Sequence, residues 1–202
     1  MTHRQEAIEW ARNLLKLNPY FVDTETTGTG RDAEILSIAI MDRDEAILYS
    51  GFIKPRNPID ELGEACRGNK HTGGTFGGNG ITNEMVKDAP TFKELWNHKD
   101  IHDALNYSTC CAYNSDFDGR MIHQEVGRFT TSPCFEYWKC AMKAYTQFEG
   151  VPNTKGRGGF KWHKLTEACE QLGIPFDEEQ AHGSLYDTLL LVRVVKAMAE
   201  AE

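Results

Sequence analysis

Apolar residues recur along this chain with two different periods, and the changes of period outline its elements. Ile8, Trp10, Ala11, Leu14 and Leu15 fall at roughly helical spacing among Arg, Glu and Lys, which predicts an amphipathic helix over residues 3–17 that docks on the core. Asn18-Pro19 ends it, and Tyr20 to Thr24 form a first strand, proline being tolerable only at the beginning of such a run. Ile35 to Met41 and Ala46 to Lys54 are β-rich runs joined by the charged turn Asp42-Arg43-Asp44-Glu45. The three strands together predict an antiparallel meander.

The pattern then loosens. Pro55 and Pro58 lead into a stretch that is mostly Gly, Asn and Thr from Gly68 to Gly80, a surface excursion with no phosphate-binding glycine motif between a strand and a helix. Thr82 to Met85 predicts a helical turn, and Thr91 to Asn106 a helix with Pro90 at its entrance. Ser108 to Asn114 predicts a buried strand, Ser115 to Gly127 a helix with Phe117, Met121, Ile122 and Val126 on one side, and Glu136 to Cys140 a short strand passing into a helix that ends near Phe148. After the glycine-rich loop Gly150 to Trp162 come a helix from Trp162 to Leu172 closed by Gly173, and a last helix, dense in Leu and Val, from Ser184 to Ala199. Three strands followed by alternating helices and strands imply a mixed sheet with helices on its faces.

Composition narrows the class. A chain of 202 residues supports one well-cored domain, so residues 1–202 are expected to be a single unit with the helix of residues 1–18 packed onto it. No apolar run approaches the ~20 residues of a bilayer crossing, and the start Met-Thr-His-Arg-Gln-Glu lacks the pattern of a secretory signal, so a cytoplasmic protein without a membrane role is expected. The six cysteines form no Cys-x-x-Cys pair and read as buried free thiols. A net charge of −8 argues against coating long duplex nucleic acid by charge alone, yet leaves room for an enzyme that grips one strand end through metal ions.

Three carboxylate clusters carry the candidate chemistry. Asp23 and Glu25 close the first strand one residue apart, so alternation turns both to the same face. Asp118 lies in the first turn of a helix after Asn114-Ser115-Asp116-Phe117, and Asp187 in the first turn of the last helix, preceded by His182 in a loop. Taken singly, an acid in a first helical turn merely complements the macrodipole and an exposed histidine is common. Their order is more specific: Asp-x-Glu-Thr-Thr-Gly, then Asn-x-x-Phe-Asp, then His-x-x-x-x-Asp.

This grammar, over residues 20–200, resembles the His-containing (DEDDh, DnaQ-like) branch of the 3′–5′ exonucleases, in the ribonuclease H-like superfamily. The tyrosine branch would need Tyr where Gly183 stands. The resemblance implies an α/β fold, a five-stranded mixed sheet (three antiparallel strands, then two parallel) flanked by helices. It also implies metal binding by Asp23, Glu25, Asp118 and Asp187, with His182 as general base. Two positions depart from the family: Ser184 stands where a small Ala is common, and Asn79-Gly80 stands where His-Gly usually precedes the Ile-Thr of Ile81-Thr82. Both leave the chemistry intact and bear on substrate preference.

The reaction such a family catalyses explains the residue types. Phosphodiester hydrolysis needs an activated water and a stabilised departing oxygen, which two divalent ions about 4 Å apart supply. Two such ions repel by roughly 17 kcal/mol at an effective dielectric of about 20, a demand met by four carboxylates. Oxygen ligands suit two Mg²⁺ or Mn²⁺ ions. Asp23 would bridge both ions, Glu25 and Asp187 would complete the first, and Asp118 would support the second. Thr26, Thr27 and Phe117 are candidates for holding the terminal nucleotide. The loop from Lys155 and Arg157 to Lys164 interleaves basic and aromatic residues suited to phosphate contact and stacking, although a solvated loop followed by a core Trp162 explains it equally well. Lys54 and Arg56 are weaker candidates.

The expected partners are single-stranded DNA or RNA 3′ ends, with DNA slightly favoured. An activity on very short RNA, like that of oligoribonuclease or RNase T, is an alternative. A catalytically dead module that binds nucleic acid or a polymerase would be expected to lack a carboxylate or the histidine, and none is missing. A homodimer and a polymerase or other replication or repair partner stay open.

Overall fold

Strand β1 (Tyr20–Thr26) lies at the centre of a five-stranded sheet in the order β3-β2-β1-β4-β5, with β2 at Ile35–Asp42, β3 at Ile47–Phe52, β4 at Cys110–Ala112 and β5 at Trp138–Cys140. The structure, a computed structural model, describes residues 1–60, 79–130, 138–154, 158–177 and 183–202. β1–β2 and β2–β3 pair antiparallel, while β1–β4 and β4–β5 pair parallel. This is the mixed sheet expected, with three antiparallel strands followed by two parallel ones.

Helices cover both faces, so the central strands have little use for polar residues. Phe21 and Met41 project into one layer with α1 (His3–Lys16), α6 (Ala141–Glu149), α7 (Leu165–Leu172) and α8 (Ser184–Glu200), whose Leu190, Leu191, Val194 and Val195 are buried there. Val22, Ile38 and Ile40 project into the other, against α3 (Phe92–Trp96), α4 (Lys99–Tyr107) and α5 (Ser115–Gly127). β2 is buried from Ile35 to Met41, which explains its continuous apolar run.

Opposite the Glu25–Thr26 step, the register shifts from Glu25↔Ser37 to Thr26↔Ile35, so β2 carries one extra residue there, Leu36. Leu36 joins a small apolar cluster with Ile59, Ile81 and Val86, which seats the short helix α2 (Asn83–Val86) and the segment before it near the end of β1.

Several boundaries differ from the sequence-based expectation. The helix expected over 91–106 is two helices, α3 and α4, because His98 takes an extended conformation and starts the second. The helix expected from Trp162 begins at Leu165, with Lys164 at its N-cap. Trp162 is 65% exposed, so it is no core residue, and His163 is buried in its stead. β1 runs two residues further than expected, through Glu25 to Thr26. Cys110, Cys111 and Cys169 are buried free thiols and Cys140 a half-buried one, whereas Cys66 and Cys134 lie outside the described residues. No helix among the described residues is long and apolar enough to cross a membrane. The glycine-rich excursion lies largely outside the described residues, apart from Asn79 and Gly80.

Candidate active site

The acidic site forms where β1 ends and two helices begin. Asp23 and Glu25 share the parity of Phe21 and so face the α8 layer, while Val22, Thr24 and Thr26 face the α5 layer. Asp187 enters from the first turn of α8, whose N-cap is Gly183. Ligand oxygens of Asp23, Glu25 and Asp187 all lie within 4.8 Å of one another, and the three side chains are half-buried.

Asp118 is positioned by a residue to which the sequence alone assigned no role. It is buried, and its Oδ1 accepts hydrogen bonds from the Thr24 backbone N–H at 3.1 Å and from Thr24 Oγ1 at 2.8 Å. The residue between the paired acids is therefore the hook for the fourth one. The signal was available in the strand alternation, which turns Thr24 toward α5. Gly119 follows, and a Cβ there would lie 3.2 Å from the Trp138 ring of β5, so a glycine lets the start of α5 settle close to the sheet.

Electrostatics show what the cluster lacks. Burial, and then the charges of Asp118, Asp187 and Glu25, hold the Asp23 carboxyl well above its usual range. Glu25 is pushed up to about 8 by burial and by Asp187, against the lowering effect of the Asn79 side chain. Asp118 is pushed up to about 7 by burial, with the two Thr24 hydrogen bonds opposing the rise. Among the described residues, no ion pair reaches Asp23, Glu25 or Asp118. Converging oxygens, raised proton affinities and, among the described residues, no ion pair on Asp23, Glu25 or Asp118 fit a hard divalent cation.

The remaining candidates are less uniform. Thr26 Oγ1 donates to the Gly28 carbonyl at 2.7 Å, and Thr27 Oγ1 accepts from Glu34 N at 2.9 Å, so both hydroxyls build the turn after β1. Phe117 is half-buried one turn before Arg120, whose guanidinium lies 5.5 Å from its ring centroid and donates to the Thr29 carbonyl. Arg56 is engaged by buried Glu34, through its backbone N–H and Nε. His182, Lys155 and Arg157 lie outside the described residues. Asn79 and Ser184 both touch the site's frame. Asn79 Nδ2 donates to the Thr26 carbonyl at 3.0 Å, and the hydroxyls of Ser184 and Ser37 are 2.6 Å apart, Ser37 being the β2 partner of Glu25.

Known proteins resemble this chain in sequence and fold. The exonuclease family model of RNase T type matches residues 20–195. An uncharacterized exonuclease, CP81, of Escherichia phage 186 is 34% identical over 98% of this chain and 95% of its own length. DNA polymerase III subunit epsilon of Haemophilus influenzae is 26% identical over 88% of this chain, which spans 65% of that protein. Among solved structures, the nuclease domain of 3'hExo, a DEDDh family member bound to rAMP, superposes with a TM-score of 0.61 at 18% identity, covering 89% of this chain and 91% of that one. Exonuclease I superposes with a TM-score of 0.62 at 16% identity, covering 88% of this chain and 40% of that one. With acidic side chains converging at the end of β1 on this fold, the chain belongs to the RNase T exonuclease family.

Proposed function

We propose that the protein is a metal-dependent 3′–5′ exonuclease that removes nucleoside 5′-monophosphates from the end of single-stranded nucleic acid, DNA in preference to RNA. The observation that carries this reading is the convergence of Asp23, Glu25 and Asp187 within 4.8 Å, beside an Asp118 fixed by Thr24. The similarity to a DNA polymerase III subunit favours DNA. The rAMP bound to 3'hExo keeps an exoribonuclease as the second reading.

Asp23, Glu25 and Asp187 would hold one Mg²⁺ or Mn²⁺, and Asp23 with Asp118 a second. Such ions supply an acidified water and charge stabilisation for the departing 3′ oxygen. Asp23 would contribute its charge to both. Thr24 prevents Asp118 from turning away, so that its carboxylate is already oriented when substrate arrives. His182 takes the proton of the attacking water as general base. As the water oxygen bonds to phosphorus, the bond to the 3′ oxygen breaks and that oxygen acquires a proton. Phe117 lies against the terminal base or sugar, the backbone of Thr26 and Thr27 lines the nucleotide, and Lys155 and Arg157 meet phosphates further along the strand.

Digestion of matched 5′-labelled DNA and RNA with Mg²⁺ or Mn²⁺, beside Asp23→Ala and His182→Ala, tests the reading. A ladder shortening from the 3′ end is expected, lost in both variants and faster on DNA. Full-rate laddering by Asp23→Ala, or shortening from the 5′ end, would overturn it.

A further inference from the structure

Asn79 belongs to none of the acidic motifs, yet it is bound into the frame of the site from three directions. Gly80, at a φ of 65° that side-chain-bearing residues rarely adopt, turns the chain just after it. Ile81 is buried with Leu36, Ile59 and Val86, which pins this turn close to the end of β1. Asn79 Oδ1 accepts the Ile81 N–H at 3.2 Å, and Nδ2 donates to the Thr26 carbonyl at 3.0 Å. The same amide faces the Glu25 carboxylate closely enough to lower its proton affinity. An amide nitrogen carries two hydrogens, so one can serve the backbone carbonyl and the other the carboxylate.

We propose that Asn79 is a positioning residue that, by holding the Thr26 carbonyl next to Glu25 and turning its amide toward the Glu25 carboxylate, fixes the orientation of Glu25 and thereby sets the metal affinity of the site. This rests on the reading of Glu25 as a metal ligand. A neutral donor is well matched to this contact. A lysine or arginine there would neutralise the charge that recruits the cation, whereas an amide orients one carboxylate oxygen without reducing that charge. The amide itself carries no titrating proton, so its donors are present at any pH. The carboxylate is held before the ion arrives, and the cost of ordering Glu25 is met during folding.

Calorimetric titration of Mn²⁺ into the full-length protein without substrate tests this, using wild type, Asn79→Ala, Asn79→Leu and Glu25→Gln. Asn79→Leu keeps nearly the shape of the side chain while removing its donors. Both Asn79 variants are expected to bind Mn²⁺ about tenfold more weakly, as is usual when a hydrogen-bond partner of a metal ligand is removed. Asn79→Ala should add little further loss in a Glu25→Gln background. Wild-type affinity in either folded Asn79 variant, or the same tenfold loss with and without Glu25, would overturn the proposal. A merely structural role would lower the metal-free melting temperature and leave the affinity unmoved. Wild-type Mn²⁺ affinity in Glu25→Gln would instead overturn the reading of Glu25 as a ligand.

Discussion

Replacing Glu25 by glutamine should stabilise the metal-free protein by an amount that grows as pH rises from about 4.5 and levels off just above about 8. Folding raises the Glu25 carboxyl from 4.5 to about 8, through burial and the Asp187 charge. The folded state thus holds the proton more tightly than the unfolded chain. The stability this contributes is fully present below 4.5 and is lost as pH rises through about 8. At about 1.36 kcal/mol per decade, the whole rise corresponds to roughly 5 kcal/mol as an upper bound. The neighbouring acids relax when one charge is removed, and an effective dielectric of about 20 damps the repulsion, so about 2 kcal/mol is the expected gain for Glu25→Gln. For a chain of this size that is a rise of about 4–8 °C in melting temperature. Thermal denaturation in a chelator, near pH 5 and near pH 9, measures it. The variant should match wild type at the acid end, exceed it at the alkaline end, and fall below it once Mn²⁺ is added at neutral pH, because wild type alone then gains the full binding energy. Equal destabilisation at both pH values would refute the idea that burial and the Asp187 charge together disfavour the ionised Glu25 carboxylate.

Thr24→Val keeps the shape of the side chain but removes one of the two hydrogen bonds to buried Asp118, so it should cost about 1–2 kcal/mol and slow hydrolysis, read by melting temperature and by digestion at saturating metal. Unchanged rate and stability together would mean that Thr24 is only packing. Buried Glu34 accepts from Arg56 N and Nε and from Asn57 N and Nδ2, and although burial raises its proton affinity these donors bring the carboxyl below its usual 4.5. That contribution is present above 4.5 and lost as pH falls through the depressed folded value, so the destabilisation in Glu34→Gln, about 1–3 kcal/mol at neutral pH, should shrink in acid denaturation series. Ser37→Ala and Ser184→Ala should each cost about 1 kcal/mol, with the double variant costing clearly less than both together, because each single change strands a buried hydroxyl.

What could be read from the sequence is what repeats or alternates. Phe21, Asp23 and Glu25 share a parity, so the common face of the two acids followed from the strand period alone. The close of α7 at Gly173, left-handed at the helix end, followed from cap chemistry, and α5 starts at Ser115 as its apolar spacing implied. The break between α3 and α4 was hidden because Ile101 and Leu105 continue an apolar spacing across it, and no proline or glycine marks His98. Trp162 is exposed and His163 buried, and hydrophobicity alone does not say which of two adjacent residues turns inward. The hook from Thr24 to Asp118 and the reach of Asn79 to β1 join segments far apart in the chain, and no local pattern records such contacts. Ser184 was visible only as a departure from a family habit. Its hydroxyl partner Ser37 could be found only once β2 and α8 were packed together.

Whether Asp23, Glu25, Asp118 and Asp187 jointly hold divalent cations at a strand terminus is decided by a crystal grown with Mn²⁺ and a nucleoside 5′-monophosphate, measured at the manganese absorption edge. Two anomalous peaks sharing Asp23 are expected, one completed by Glu25 and Asp187 and the other on the Asp118 side, with the phosphate beside them. Manganese bound elsewhere, with these four carboxylates left to one another, would mean that the acidic cluster is not a metal centre.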